Sequence, residues 1–279
     1  FIQKYQEELA RTRVAYQGAA HPSAVWSKGK IVGETPTAGA PRKTFPQKQA
    51  GLNVFTISVP IGDITAPQMR GIAQLMKNHG LNHLRATQDQ KLMVLNVPDA
   101  RLSSFAAGVQ ALGLDAPKTG DNVVACPGTS TCRLGITSSK VLGAKVSGGA
   151  NDLRIRVSGC HNGCAQPEMG DIGIYGEGKR LHAKLVPHYQ MYFGGDGRQG
   201  GSLALKGPSV PAARIETAVE RVQHTYAQNR QNSETFSAWA HRQGEAYFDT
   251  LLQDLKNVSL DEVVSVAKDH GDAEQFKVL

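Results

Sequence analysis

The most constraining feature of this sequence is the placement of its four cysteines, which all fall between positions 126 and 164. Cys126 and Cys132 form one pair with five residues between them, Cys160 and Cys164 form a second pair with three, and 27 residues separate the pairs. Thiolates are soft ligands that suit iron–sulfur clusters, zinc and copper, and four of them complete a cubane cluster or a tetrahedral zinc site. A fold that uses all four must therefore bring two distant loops together.

The spacing favours an iron–sulfur cluster but leaves other uses of the thiols open. Structural zinc sites usually hold paired ligands in a tight knuckle with two to four residues between them. The five-residue gap of the first pair, filled by Pro-Gly-Thr-Ser-Thr, suits a wider loop around a larger object. A disulfide scaffold is disfavoured, because 279 residues is long for one and the chain shows no secretory signal.

The composition indicates a globular protein with a basic surplus. A charged fraction of 20% and a net charge of +7 differ from those of disordered chains. The longest apolar runs, such as 102–114, are shorter than the roughly 20 residues that a transmembrane helix needs, so no membrane association is expected. The start, Phe-Ile-Gln-Lys, has no signal-peptide pattern, and we expect a cytoplasmic location and a processed or truncated start. Because Lys and Arg are dispersed, nucleic-acid binding is not expected, and the surplus suits an ordinary surface, an acidic small molecule or an acidic partner.

The periodicity predicts an α+β fold in three parts. Residues 1–48 are expected to be an arm and linker, with a helix-prone stretch at 5–13 and a Gly, Pro and Thr-rich stretch at 33–46. Residues 49–118 are expected to form a small ferredoxin-like half-domain in the order strand, helix, strand, strand, helix. Its predicted elements are strands at 52–59, 84–87 and 92–97, a helix capped by Thr65 and ended by Gly80, and a helix capped by Asp99 and ended by Gly113.

Residues 119–279 are expected to form a mixed α/β domain that carries the cysteines. A strand in which Leu153, Ile155 and Val157 alternate with Arg154 and Arg156 leads directly into Gly-Cys. For the two arginines the favoured interpretation is solvent or a surface salt bridge. Further strands are predicted at 172–175, 181–186 and 190–193, followed by a loop at 194–201, a helix opened by Ser209 and Pro211, and helices at 236–241, 246–255 and 259–267. Phe236 and Trp239, at helical spacing, are expected in the core.

Two separated motifs resemble those of the nitrite/sulfite reductase family, the sirohaem and [4Fe–4S] haemoproteins. The motif 158–164, Ser-Gly-Cys-His-Asn-Gly-Cys, is followed after six residues by Asp-Ile-Gly-Ile at 171–174. The motif 126–132, Cys-Pro-Gly-Thr-Ser-Thr-Cys, is similar to the family's first pair in order and internal spacing. The resemblance covers most of the chain and implies a ferredoxin-like half-domain followed by a cluster and sirohaem-binding domain.

The resemblance also implies roles for particular residues. Cys126, Cys132, Cys160 and Cys164 would ligate the cluster, with the Cys164 sulfur bridging to the sirohaem iron. Asn162 would hydrogen-bond the cluster sulfurs or the sirohaem edge, although it also suits a turn with left-handed geometry. Arg198 would bind sirohaem carboxylates, and the surrounding glycines would let backbone N–H groups approach the same anions. Arg85 and Thr87 are similar to a strand motif whose counterpart in the family's other half touches substrate, and in this half we expect that site to be vestigial.

The resemblance implies the second half of a two-half enzyme that reduces sulfite to sulfide or nitrite to ammonia with six electrons. The catalytic side chains are then expected mainly from the N-terminal half, so that this chain is a C-terminal fragment or a subunit with little or no turnover alone. An acidic ferredoxin or flavoprotein would supply electrons, and a small oxyanion would be the substrate. The alternative is a non-catalytic module in which zinc on four thiolates stabilises a basic face for nucleic acid or a protein partner.

Overall fold

A computed structural model describes residues 2–16, 44–197 and 201–278 of the chain. Helix α1, Ile2–Tyr16, contains the predicted helical stretch at 5–13 and belongs to a first compact unit, separate from the unit that holds all other described elements. The part of the predicted linker from 33 to 43 lies outside the described residues. Its last two residues, Phe45–Pro46, form a short strand, β1.

The half-domain is a four-stranded antiparallel sheet packed against two helices. Strand β2, Leu52–Ser58, is followed by helix α2, Ala66–Asn78, strands β3, Leu84–Ala86, and β4, Lys91–Pro98, and helix α3, Leu102–Ala111. The sheet order is β1-β2-β4-β3, and the predicted element order is confirmed. The side chains that fill the space between sheet and helices are Phe55, Ile57, Ile72, Met76, Val94, Val97, Phe105 and Val109.

The helix boundaries of the half-domain follow local chemistry in three of four cases. Thr65 caps α2 through a capping box with Gln68. Gly80 and Gly113, at φ +65° and +70°, follow the ends of α2 and α3 in the left-handed conformation that glycine tolerates. The predicted cap at Asp99 is wrong, because this residue begins a 3-10 turn and its carboxylate instead accepts a hydrogen bond from Asn53 at 2.6 Å.

The second domain is built on a five-stranded mixed sheet in sequence order. Its strands are β5, Val123–Ala125, β6, Ile155–Ser158, β7, Ile172–Leu181, β8, Lys184–Phe193, and β9, Leu205–Pro211. The first three strands are parallel and the last three antiparallel, and helix α4, Ser139–Lys145, connects β5 to β6. The carboxyl ends of β5 and β6 therefore point to the same edge of the sheet.

Two predicted strand boundaries in this sheet are wrong. The three short strands predicted between 172 and 193 are one long hairpin, β7–β8, which turns at His182 and Ala183 with both φ angles positive. Pro187 is tolerated inside β8 because pairing with β9 begins only at His188, so this stretch has one neighbour. Ser209 and Pro211 lie in the edge strand β9 and do not open the next helix.

Four helices, α5 to α8, follow the second sheet. They span Ile215–Asn229, Phe236–Gln243, Glu245–Leu251 and Gln253–Lys256. Phe236 and Trp239 are buried in the large core of this domain, as predicted. The Ser259–Glu262 contact forms, but the residues after it make turns and not the predicted helix, since β-branched Val263, Val264 and Val266 disfavour helix. None of the described helices is both long and apolar enough to cross a bilayer.

Candidate metal centre

The two cysteine pairs begin at the carboxyl ends of adjacent parallel strands. Strand β5 ends at Ala125, directly before Cys126, and β6 ends at Ser158, two residues before Cys160. Ala125 is the register partner of Val157, and the Cys126 N–H donates to the Val157 carbonyl at 3.0 Å. The parallel pairing thus places both cysteine loops at one sheet edge, the position where open α/β sheets usually bind ligands.

Backbone contacts hold the two loops against each other. The N–H groups of Ile136 and Thr137 both donate to the Gly159 carbonyl at 2.9 Å. A Cβ atom on Gly159 would lie only 2.6 Å from the Gly128 Cα, and one on Gly128 would lie 2.5 Å from the Thr137 carbonyl oxygen. Glycine is therefore required at 128 and 159 by close backbone packing, which brings the first loop onto the second.

The thiols of both pairs are free, so the disulfide alternative is not formed. Cys160 is buried, Cys126 and Cys132 are half-buried, and Cys164 is exposed. The Cys126 Sγ accepts a hydrogen bond from the Gly159 N–H at 3.1 Å and lies 3.4 Å from the Ser139 hydroxyl. Hydrogen bonds of this kind stabilise a thiolate and are one of the ways in which proteins adjust the potential of an iron–sulfur cluster.

The donor set fits a cluster better than a single ion. Within the described residues, no three His, Cys, Asp or Glu side chains are grouped closely enough to hold one metal ion. Four thiolates on zinc would all lie about 2.3 Å from the same atom. A [4Fe–4S] cluster binds each thiolate at a different iron and so requires a wider set, as two interlocked loops provide. The zinc alternative therefore receives no support from the geometry.

The structure describes one of the two other predicted cofactor residues. Asn162 is exposed, and the left-handed position of its turn is taken by Gly163 at φ +63°, so Asn162 is not needed for turn geometry. Arg198 lies outside the described residues. Of the predicted vestigial pair, Arg85 is exposed and the Thr87 hydroxyl accepts the Lys91 N–H at 3.1 Å within the β3–β4 turn. The cofactor contacts of Asn162 and Arg198 stay predictions.

The favoured interpretation of Arg154 is wrong, because this side chain is only 8% exposed. Its guanidinium forms a bidentate ion pair with Asp171 at 3.0 and 2.7 Å and donates to the Gly195 carbonyl at 2.9 Å. Burial lowers the pKa of Arg154, but the hydrogen bond and charge of Asp171 outweigh it and the pKa is raised. Arg154 therefore joins β6 to the start of β7 and to the loop after β8 and does not extend into solvent.

The half-domain contributes two contacts beside the centre that sequence reasoning missed. Arg156 of β6 pairs with Asp89 in the β3–β4 turn at 2.6 Å. Gln90, next in that turn, donates to the Ala125 carbonyl at 2.7 Å and accepts the Ala125 N–H at 3.1 Å. Its amide thus acts as an additional strand partner for β5, directly before Cys126. The polar run Gln-Asp-Gln at 88–90 is the sequence signal, which by itself indicates only a turn.

A third missed contact comes from the end of the chain. The buried carboxylate of Asp269 accepts the Ser138 N–H at 2.6 Å, in the turn between the two cysteine loops and α4. Burial raises the pKa of Asp269, and burial also lowers the pKa of His270 and raises that of Tyr189, which lies 3.5 Å from Asp269. These polar groups are enclosed beneath the turn that carries Ser138.

A separate cavity of about 640 Å³ lies between the half-domain and β5–α4. Its lining includes Ile61, Leu114 and Val146 but no cysteine. The Lys91 ammonium on its wall already donates to the Ser58 hydroxyl and the Asp121 carbonyl. The cavity is therefore distinct from the cysteine site.

Comparison with known proteins identifies both domains. Residues 45–112 match the nitrite/sulfite reductase ferredoxin-like half domain, and residues 119–258 match the nitrite and sulphite reductase 4Fe-4S domain. The chain belongs to the nitrite and sulfite reductase family. The four cysteines lie inside the matched 4Fe-4S domain, and the zinc module finds no counterpart among the matches.

Individual relatives of this family are similar over most of the chain. A "Sulfite reductase [ferredoxin] 1" of Mycolicibacterium paratuberculosis is 28% identical over 212 residues, which are 70% of this chain and 38% of the relative. A "Ferredoxin--nitrite reductase" of Synechococcus elongatus is 26% identical over 204 residues, with the same coverage of 70% and 38%. The structure of the Mycobacterium tuberculosis NirA protein superposes with a TM-score of 0.65 at 26% identity and covers 72% of this chain and 40% of that one. The chain thus spans about two fifths of the length of these relatives.

Proposed function

We propose that this chain is the C-terminal half of a sirohaem-dependent sulfite or nitrite reductase. The observation that carries the proposal is the placement of the two cysteine pairs at the carboxyl ends of β5 and β6, within the family's 4Fe-4S domain. The reaction would be the six-electron reduction of sulfite to sulfide or of nitrite to ammonia. When bound, the cluster and sirohaem would supply one-electron transfer and a coordination site for the oxyanion.

The cysteines divide by exposure in a way that suits two cofactors. Cys126, Cys132 and Cys160 are partly or fully buried and would hold the cluster within the two loops. Cys164 is exposed and would be the shared ligand that faces sirohaem. Beside it, Asn162 would direct its amide to the cluster sulfurs or the sirohaem edge, and Arg198 would bind sirohaem carboxylates.

The remaining parts of the enzyme would come from other polypeptide segments or partners. An N-terminal half of the same enzyme would complete the substrate site, and its basic side chains would bind the oxyanion. A ferredoxin or flavoprotein would deliver electrons, which agrees with the word ferredoxin in the names of the two relatives. The basic surplus of the chain suits an acidic donor. A cytoplasmic location stays a prediction.

The test is an assay of the chain with reduced methyl viologen and either sulfite or nitrite, together with a visible spectrum. After reconstitution with iron, sulfide and sirohaem we expect strong visible absorption bands but little or no turnover by the chain alone. Turnover is expected once a complementary N-terminal half is added. A colourless, zinc-containing chain would contradict the proposal, and substantial turnover without the other half would contradict its division of roles.

A further inference from the structure

The last described segment, residues 259–278, lies beyond the matched 4Fe-4S domain, which ends at 258. It is nevertheless anchored to that domain. Val263, Val266 and Ala267 pack against Val186 of β8, and Glu262 pairs with Arg214 at 2.8 Å. The segment therefore has a defined position on the domain and contributes its own buried side chains.

Asp269 is the residue of this segment that reaches the cysteine loops. It is 5% exposed, and both of its carboxylate oxygens have partners. One oxygen accepts the Ser138 N–H at 2.6 Å, and the other accepts the His270 N–H at 2.8 Å and lies 3.5 Å from the Tyr189 hydroxyl. Because a buried carboxylate is costly unless its oxygens are satisfied, its place under this turn is specific.

The neighbours of Ser138 on either side contact the cysteine loops. Thr137 donates its N–H to the Gly159 carbonyl at 2.9 Å. Ser139 donates its hydroxyl to the Cys126 carbonyl at 2.8 Å, and the same hydroxyl lies 3.4 Å from the Cys126 Sγ. A three-residue turn, 137–139, thus connects Asp269 to both loops, and two contacts separate the carboxylate from a ligand sulfur.

We propose that Asp269 is a positioning residue of the metal centre: by fixing the turn 137–139, it holds Ser139 and Gly159 against Cys126 and so sets the environment of that thiolate. The inference rests on the proposed role of Cys126 as a cluster ligand. Residues that orient metal ligands in this way commonly affect metal affinity by about 10–100-fold when they are replaced.

The experiment compares Asp269→Ala, Asp269→Asn and the control Asp261→Asn, an exposed aspartate in the same segment. Each chain is reconstituted with iron and sulfide, and the rate of cluster loss to a chelator, the EPR spectrum and the cluster midpoint potential are measured. We expect Asp269→Ala to lose the cluster about tenfold faster with an altered spectrum. Asp269→Asn should be intermediate, because its amide oxygen can still accept the Ser138 N–H, and Asp261→Asn should match the parent chain.

A cluster in Asp269→Ala with the parent lifetime, spectrum and potential would overturn the inference. If Asp269→Ala does not fold, Ser139→Ala tests the same connection at its other end, and an unchanged lifetime and spectrum there would overturn it. A parent chain that takes up no cluster would instead contradict the proposed function. Alkylation of Cys126 in the metal-free chain adds a readout without the cluster: we expect faster labelling in Asp269→Ala, and equal rates would count against the inference.

Discussion

The two sheets of this chain use their strand ends in different ways. In the half-domain, strand and helix ends are closed by local devices, such as the Thr65 capping box and the left-handed glycines at 80 and 113. In the second domain, the ends of β5 and β6 are instead occupied by cysteine loops, whose shape depends on contacts from Gln90 and Asp269. The half-domain therefore folds around its own core, whereas the metal centre is assembled from residues distant in sequence.

The largest difference between the two regions is expected from removal of a ligand. Cys160→Ser should abolish cluster absorption, because one of four thiolates is replaced by a poor iron ligand in a buried loop. The half-domain, whose core contains no cysteine, should keep its secondary structure by circular dichroism. His161→Ala, at an exposed neighbouring position, is the matched control. A Cys160→Ser chain that retains a full cluster spectrum would exclude this residue as a ligand.

A second comparison uses the two arginines of β6. Arg154→Met should lower the free energy of unfolding by about 3–5 kcal/mol, because Asp171 would be left buried without its partner. Arg156→Met should cost only about 1.5 kcal/mol, since it removes an ion pair with the less buried Asp89. Urea unfolding measures both. Adding Asp171→Leu to Arg154→Met should recover most of the loss, and equal effects of the two single replacements would refute the difference.

The contact between the domains can be broken at Gln90. Gln90→Ala removes two hydrogen bonds to Ala125 and should lower the free energy of unfolding by about 1–2 kcal/mol. It should also speed cluster loss, because Ala125 directly precedes Cys126. Gln88→Ala, at an exposed position of the same turn, is the control and should change neither quantity. If Gln90→Ala behaves like Gln88→Ala, the half-domain does not support the centre.

The smallest expected effect is a pH dependence from the sheet of the second domain. Burial lowers the pKa of His188, although its hydrogen bond to the Val186 carbonyl opposes the shift. Below about pH 6.5 the unfolded chain binds a proton at this residue before the folded chain does, so stability falls as the pH is lowered. The slope from one histidine is at most about 1.4 kcal/mol per pH unit. Urea unfolding from pH 7.5 to 5 should show a shallower slope for His188→Gln than for His224→Gln, an exposed control; identical slopes would contradict the assignment.

The sequence was most informative where structure is local. The order of the half-domain and the cap at Thr65 follow from periodicity and from side chains within one turn. The β7–β8 hairpin was divided wrongly because it turns at His182 and Ala183, which lack the Asn-Gly or Asp-Gly signal of such turns. Strand β9 was missed because its prolines are acceptable only at a sheet edge, which a sequence does not identify.

The centre was predictable in its ligands but not in their supports. The four cysteines were found because their spacing and surrounding motifs are contiguous in sequence. Arg154, Gln90 and Asp269 were not recognised, since each acts through a partner that is 17, 35 and 131 residues away, respectively. A charged or amide side chain has the same local signal whether it faces solvent or is buried with a distant partner.

The central claim, that the four thiolates bind one iron–sulfur cluster, is tested most directly by metal analysis of the chain purified and reconstituted without oxygen. Iron and acid-labile sulfide content and the EPR spectrum of the reduced chain would be measured together. The account predicts four iron and four sulfide per chain and the spectrum of a reduced [4Fe–4S] centre, all lost in Cys160→Ser. One zinc per chain with no labile sulfide would contradict it.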